Sequence, residues 1–481
     1  FKQKTAYEIM PSLVGSEMCI RDSLSNLSTM KKTDALFVGA ALLMVLFLNT
    51  YFNLTSDVAI NEDGQTLADK FYLAGPDPYY NMRLVETTAD TGQYPFMGGE
   101  HGGLDPLLNY PLGGTGGRPP FFNMITIGTG KLMSLFMGEV DGLGYAMQFL
   151  PALYGALLVI PVYFIGAMLF SRKAGIIGAW LVPLIPIHLG SGHGSAFSLY
   201  DHDSFILLLS TVTIMFLMMS IREKHPRKSM LYAALSGVFI ASITMTWVSS
   251  QYIYAVVAVY AVVQMIVDIL TKKIAIDTVR SVLVALFTGY LISFPVLFVR
   301  HGFSPTIHLI IPVAVAVFSA IYLWLGKKNL PWLISVPTLF GIGGVSLVFL
   351  YFIKDTTNAL LQPFAQIGNL IFGSGIYGSK VALTIAEASS FDFSRTVMSF
   401  GPVVYLLGWF GFLLVLYRYY KKGLRKDYLF MITWFLIEAW LLSVAGRFLN
   451  DLVPLMAILS GFVLWFILSK IDFASMAKTI R

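Results

Sequence analysis

Charge is scarce in these 481 residues: Asp, Glu, Lys and Arg together make up 12% of the chain, against about 25% in soluble proteins. A chain this poor in charge cannot cover a water-facing surface, so a soluble globular protein is excluded. Cysteine is scarcer still, and the single thiol, Cys19, permits neither an intrachain disulfide nor a cysteine metal cage. The net charge of +6 would suggest nucleic acid in a soluble protein. Here the basic residues sit in short loops between apolar runs, so no nucleic acid is expected and the matching partners are anionic membrane lipids. Neither half of the chain repeats the other, which leaves an inverted-repeat transporter without support from the pattern.

What is present is apolar. Hydrophobic residues make up 56% of the chain, its mean hydropathy is +0.71, and runs of roughly 20 apolar residues recur from Ala35 to Ile471, the length a membrane-spanning helix needs. The fold class expected is all-α, a polytopic membrane protein. Candidate spans are Ala35 to Tyr51, Leu143 to Phe170, Ala174 to Ser191, Phe205 to Ile221, Met230 to Ser249, Tyr252 to Leu270, Ser281 to Val299, Ile307 to Gly326, Trp332 to Ile353, Pro402 to Tyr420, Tyr428 to Ala445 and Leu452 to Ile471. Phe121 to Met137 is ambiguous, since it carries Lys131 and follows Pro119-Pro120. Parity decides it: only if that stretch stays out of the membrane do Lys31/Lys32, Arg172/Lys173, Arg222 to Lys228, Lys272/Lys273, Lys327/Lys328 and Arg418 to Lys426 all fall inside. It therefore reads as an interfacial helix on the outer face, leaving about twelve transmembrane helices.

Residues 1–29 fit nothing that follows and read as a non-native or disordered leader ahead of Met30-Lys31-Lys32, which leaves residues 30–481 as the membrane domain. The topology creates two long outer loops, 52–142 and 354–401. Loops of that length are commonly functional, and the first is rich in carboxylates.

Three acidic motifs fall on that outer side. In Gly75-Pro76-Asp77-Pro78-Tyr79-Tyr80-Asn81-Met82-Arg83, prolines on both sides of Asp77 restrict the backbone and fix where its carboxylate points. In Tyr200-Asp201-His202-Asp203, two carboxylates at i and i+2 can converge on one divalent cation if the segment is not helical, and oxygen donors suit Mg²⁺ or Mn²⁺. The third motif is Thr384-Ile385-Ala386-Glu387. Each is weak alone, because a solvated loop carboxylate looks the same.

Taken in order with Arg447 at an outer membrane edge, these motifs resemble the catalytic subunit of oligosaccharyltransferase, its archaeal branch above all, over nearly the whole chain. The resemblance implies a GT-C-type glycosyltransferase membrane domain in an archaeal-type plasma membrane, with the active site on the outer face. It implies transfer of a lipid-linked oligosaccharide, from a polyprenyl (dolichyl) phosphate or diphosphate, to asparagine in an acceptor polypeptide carrying Asn-X-Ser/Thr. In that family the residues matching Asp77, Asp201 and Asp203 surround the metal, Mg²⁺ or Mn²⁺. The residue matching Glu387 helps Asp77 hold the acceptor amide, and the one matching Arg447 binds the lipid-linked phosphate. Trp247 and Tyr252 resemble positions near the donor phosphate, although an aromatic belt would read alike. Relatives often carry an Arg near His193; this sequence does not, and His193 is a poor stand-in for it. The family's soluble domain, with its Trp-Trp-Asp motif, is expected to be missing, since no Trp-Trp pair exists in the sequence.

Chemistry gives these roles a reason. A divalent cation neutralises departing phosphate oxygens, and an Arg adds a planar fork of donors for the same group. The acceptor is harder, because the nitrogen of an amide is tied up in resonance whose loss on rotation costs about 18–20 kcal/mol. Two carboxylates, each accepting one amide N–H, would free it in part. Two other readings stay open at this point. One is a lipid-phosphate-sugar-dependent membrane glycosyltransferase with a non-protein acceptor, which would have no need of Glu387. The other is an ion-coupled transporter, which predicts charges at mid-membrane depth, where only Glu438 is a candidate.

Overall fold

The structure is a computed structural model and describes residues 30–55, 72–97, 103–108, 110–137, 139–190, 194–303, 306–352 and 392–471. Among these the regular elements are helices, apart from one two-stranded antiparallel ribbon that pairs Leu104 with Thr115 and Asp105 with Gly114. In order the elements are α1 (Lys32–Thr55), α2 (Pro76–Thr91), β1 (Leu104–Asp105), β2 (Gly114–Thr115), α3 (Phe121–Met137), α4 (Glu139–Leu157), α5 (Val159–Leu169), α6 (Arg172–Leu181), α7 (Pro186–Gly190), α8 (Asp203–Arg222) and α9 (Pro226–Thr244). There follow α10 (Gln251–Thr271), α11 (Ile276–His301), α12 (Ile307–Lys328), α13 (Trp332–Phe352), α14 (Phe393–Phe400), α15 (Pro402–Lys421), α16 (Lys426–Val444) and α17 (Val453–Leu468). Helices are what apolar sequence must form in lipid, where each backbone N–H and C=O needs a partner within its own segment.

The all-α polytopic architecture is as expected; the count of twelve spans is not confirmed among the described residues. Eight helices among the described residues are long and apolar enough to cross a membrane, and they include Gly142–Leu169, in which α4 and α5 run on as one unit. The expected span Ala174 to Ser191 is not one helix. It breaks into α6, a 3₁₀ turn at Val182–Leu184 and α7, because Pro183 and Pro186 each remove a backbone donor and end the helix before them. α9 and α16 are helices of 19 residues that are not among the eight. Glu438 and Asp427 reduce the apolar length of α16.

α3 begins at the far end of α9, where the Phe121 N–H donates to Met245 O at 2.8 Å. From there it runs back along α4: Phe122 meets Tyr154, and Gly130 faces Leu143. It thus forms a helical hairpin with α4.

Small residues let the remaining helices approach closely. A Cβ on Gly237 of α9 would stand 2.6 Å from Ala285 O of α11, and one on Gly461 of α17 would stand 2.5 Å from the backbone nitrogen of Gly178 in α6. Such contacts supply the packing attraction that water-driven burial cannot provide between helices in lipid.

Polar ties gather the basic loops at one end. Asp34 accepts from Tyr163 Oη at 2.7 Å and pairs with Arg172; Tyr428 Oη donates to Leu169 O at 3.2 Å. Asp427 pairs with Arg222 and Arg425, Lys426 Nζ donates to Thr278 Oγ1 at 2.8 Å, and the Ala275 N–H donates to Tyr322 Oη at 2.7 Å. The loops grouped together by charge parity are thus joined in space.

Candidate functional site

The first two acidic motifs, around Asp77 and around Asp201 and Asp203, meet at the other end of the bundle. Gly75, at φ 96°, turns the chain into α2, with Pro76 at the first helical position, where its missing N–H costs nothing. Asp77 therefore sits in the first turn of a helix. Four residues on, buried Asn81 donates through Nδ2 to Tyr200 O at 3.2 Å. Tyr200 Oη in turn donates to Asn123 Oδ1 at 3.1 Å, and its ring stacks on Phe122 with centroids 4.9 Å apart. These contacts fix α2, α3 and the segment before α8 relative to one another.

Arg118 occupies the space between the motifs. Its Nη2 lies 3.1 Å from Asp77 Oδ1, and its Nη1 lies 2.8 Å from Asp201 Oδ1. The backbone before it is held from two sides: Tyr80 Oη accepts the Gly117 N–H at 3.2 Å, and Arg300 Nη1 donates to Gly117 O at 2.6 Å. Gly117 has φ 93° and passes against the Phe96 backbone carbonyl, a conformation and a closeness that require glycine. Pro119 and Pro120 then feed the chain into α3. Sequence reasoning passed over this arginine. The available signal was its setting, Gly-Gly-Arg-Pro-Pro, a rare cation in an acidic loop pinned between flexible and rigid neighbours.

Asp201 is buried, precedes α8 and is not helical, whereas Asp203 is the first residue of that helix. Its Oδ1 lies 2.6 Å from His202 Nδ1 and accepts the His202 N–H at 2.7 Å. Burial by itself would raise its pKa, but the His202 ring and the Arg118 guanidinium outweigh that, and the carboxyl is held well below the usual carboxylate range. Burial likewise opposes charge on Arg118, and Asp201 and Asp77 more than offset it. Asp203 opens α8, with its Oδ1 4.0 Å from His202 Nε2 and 3.9 Å from Arg447 Nη2.

Arg447 lies in a 3₁₀ turn between α16 and α17, with its guanidinium 5.7 Å from the centre of the Trp247 ring. Trp247 also flanks His202 and meets Tyr252 edge-on, both with centroids 6.4 Å apart. The Tyr252 hydroxyl is taken up by Glu438, which also accepts from Trp434 Nε1 at 3.0 Å. Glu438 is fully buried and faces the bundle, with Oε2 unpartnered. The structure thus brings together Asp77, Asp201, Asp203, Arg447, Trp247 and Tyr252. His193 and Glu387 lie outside the described residues.

The donors are of the right kind for a hard divalent cation: three carboxylates from two elements, beside a buried His202 Nε2 that has no hydrogen-bond partner. Among the described residues no three His, Cys, Asp or Glu side chains gather closely enough to hold an ion. Asp77 and Asp201 close on the Arg118 guanidinium instead, a cation held by the same oxygens.

This geometry can be set beside known proteins. The family model described as oligosaccharyl transferase STT3, N-terminal, matches residues 65–481. The chain is 22% identical over 430 residues to dolichyl-phosphooligosaccharide-protein glycotransferase 1 of Pyrococcus furiosus, covering 83% of this chain and 41% of that protein. Its fold is that of the archaeal oligosaccharyltransferase AglB from Archaeoglobus fulgidus in complex with an inhibitory peptide and a dolichol-phosphate, with a TM-score of 0.73 at 19% identity over 94% of this chain and 52% of that one. An Archaeoglobus fulgidus oligosaccharyltransferase in complex with Zn and sulfate gives a TM-score of 0.64 at 20% identity over 91% of this chain and 50% of the other. The chain spans about half the length of these relatives. With the greater part of its length matched by the family model, the chain belongs to the STT3 oligosaccharyl transferase family, of which it represents the N-terminal membrane part.

Proposed function

We propose that this chain is the catalytic membrane portion of an enzyme that transfers an oligosaccharide from a polyprenyl (dolichyl) phosphate or diphosphate to asparagine in Asn-X-Ser/Thr, on the outer face of an archaeal-type plasma membrane. The observation that carries the reading is the meeting of Asp77 and Asp201 at one guanidinium, with Asp203 beside Arg447. Carboxylates and fixed arginines side by side suit a reaction in which an amide must be activated and a phosphate must leave. The proteins of known function that this chain resembles include one named for dolichyl-phosphooligosaccharide transfer and one solved with a peptide and a dolichol-phosphate, which supports the same substrates here.

Asp77, Asp201 and Asp203 are the residues that would hold a Mg²⁺ or Mn²⁺ ion, and the relative solved with Zn and sulfate is in keeping with such a site. When bound, the ion would neutralise the charge that develops on the departing phosphate oxygens. Arg447 and Arg118 supply fixed donor forks for the same oxygens. Trp247 holds the Arg447 guanidinium over its ring, and Tyr252, anchored by Glu438, limits how far Trp247 can turn. Asp77 is the most exposed of the three carboxylates, which supports a role for it in accepting one amide N–H of a bound asparagine; Glu387 would take the other.

The test is direct. The full-length protein, given a polyprenyl-linked oligosaccharide, should glycosylate a peptide containing Asn-Val-Thr and leave the Gln-Val-Thr peptide untouched, read by mass spectrometry. Transfer to a lipid or sugar acceptor with none to the peptide would replace this reading with that of a glycosyltransferase using a non-protein acceptor.

A further inference from the structure

The basic end of the bundle, far from the carboxylates, holds a cavity of about 350 Å³ between the last turns of α10, the turn into α11 and the turn into α16. Lys273, Arg425 and Lys426 line it, against one carboxylate, Asp268. Both oxygens of that carboxylate are engaged, Oδ1 by Gln264 Nε2 at 2.7 Å and Oδ2 by Tyr322 Oη at 2.9 Å. Arg425 is paired with Asp427, and Lys426 donates to Thr278. The exposed Lys273 ammonium meets no acceptor among the described residues.

Two further features specify the ligand. α11 and α16 both begin at this cavity, and in neither does the N-cap side chain hold a first-turn N–H; Asp427 Oδ1 takes the Tyr428 N–H at 2.9 Å, and the remaining first-turn N–H groups add donors to those of the cations. Gln264 is 98% buried and lines the cavity; its amide nitrogen is committed to Asp268, so its Oε1 is left unpartnered. An acceptor buried without a donor costs free energy, and an anion alone cannot satisfy it. The site therefore calls for an anionic group that also carries a hydroxyl.

The position selects the source. α10 and α11 are spans that end and begin at the cavity, while Leu270 and Ile276 beside it are 49% and 62% exposed. Apolar side chains exposed at the end of a span face acyl chains. We propose that this cavity binds the headgroup of an anionic phospholipid of the phosphatidylglycerol type, its phosphate held by Lys273 and the helix N–H groups and its hydroxyl donating to Gln264 Oε1. Basic pockets between helices at the positively charged side of a membrane protein are suited to such headgroups.

The experiment uses the full chain in neutral-lipid nanodiscs, titrated with phosphatidylglycerol, phosphatidylcholine or glycerol 3-phosphate, with retained lipid counted by native mass spectrometry. Lys273→Gln is compared with Lys272→Gln, which removes the same charge one residue away, outside the cavity lining. Phosphatidylglycerol should bind saturably, and Lys273→Gln should weaken it roughly fivefold while Lys272→Gln leaves it nearly unchanged. Equal weakening by both variants, or equal retention of phosphatidylcholine, would overturn the site. Displacement of phosphatidylglycerol by glycerol 3-phosphate at matching concentration would overturn the bilayer source and assign the phosphate to a soluble ester.

Discussion

Arg118 Nη1 lies 2.8 Å from Asp201 Oδ1, across 83 positions of sequence and between elements that share no helix. The same guanidinium reaches Asp77 at 3.1 Å. Carboxylates drawn to one place repel one another and disfavour joint ionisation. A fixed positive charge between them offsets that repulsion, and it helps hold the buried Asp201 carboxyl below the usual carboxylate range. Arg118 is thus part of the architecture of the acidic end and lies within reach of any phosphate placed there.

Replacing Arg118 should cost activity rather than folding, because the hairpin is anchored independently through Phe121, Tyr80 and Arg300. Arg118→Gln is expected to lower the rate of glycan transfer by roughly 10²–10³, the usual effect of deleting one preorganised electrostatic contact. Arg118→Lys should recover part of it, since an ammonium keeps the charge but loses the two-point reach. Single-turnover transfer to an Asn-Val-Thr peptide is the measurement, and a normal rate for Arg118→Gln removes the residue from the site.

Chelation offers a separate test of the metal. EDTA treatment should abolish transfer, and Mg²⁺ or Mn²⁺ should restore it, with hard oxygen donors setting the preference. Asp203→Asn should raise the metal concentration needed for half-maximal rate. Full activity in the chelator would leave Arg118 and Arg447 as the cations that serve the phosphate.

Much of this arrangement was legible in the sequence because its determinants are local or periodic. Apolar runs marked most crossings, and charge parity sorted the basic loops into the group that Asp34, Asp427 and Tyr428 in fact join. It also kept Phe121–Met137 out of the crossings, an assignment that the labelling experiment below bears on. The break inside Ala174–Ser191 was visible as Pro183 and Pro186, but hydropathy averaged over a window does not register it. Arg118 was invisible for a different reason: an isolated cation in a long loop acquires meaning only when Gly117, Tyr80 and Arg300 fix where it points. The taking up of the Tyr252 hydroxyl by Glu438 joins positions 186 apart and leaves no pattern in either segment.

Sidedness can be tested with single cysteines in a Cys19→Ser background. An impermeant maleimide added from outside should label Gly103→Cys and Ser379→Cys but not Lys224→Cys or Lys422→Cys, as the positive-inside rule requires. The reverse pattern would place the carboxylates and Arg118 on the inner face and overturn the proposed outer site.

The two carboxylate roles should fail differently. Asp201 is buried against Arg118 and His202, where it is proposed to serve the cation and the leaving phosphate; Glu387 is proposed to hold the acceptor amide and to do nothing for the donor. In the full-length protein Asp201→Ala should therefore lose both peptide glycosylation and metal-dependent hydrolysis of the lipid-linked donor. Glu387→Ala should lose transfer by roughly 10²–10³ yet keep part of the hydrolysis, because water needs no help in presenting a lone pair, whereas an amide nitrogen must be twisted out of resonance. Both reactions can be followed in one assay, by glycopeptide and by free oligosaccharide released. If Glu387→Ala glycosylates Asn-Val-Thr at the normal rate, the acceptor role fails and a non-protein acceptor becomes the better reading; if it loses both reactions together, Glu387 belongs with the metal ligands.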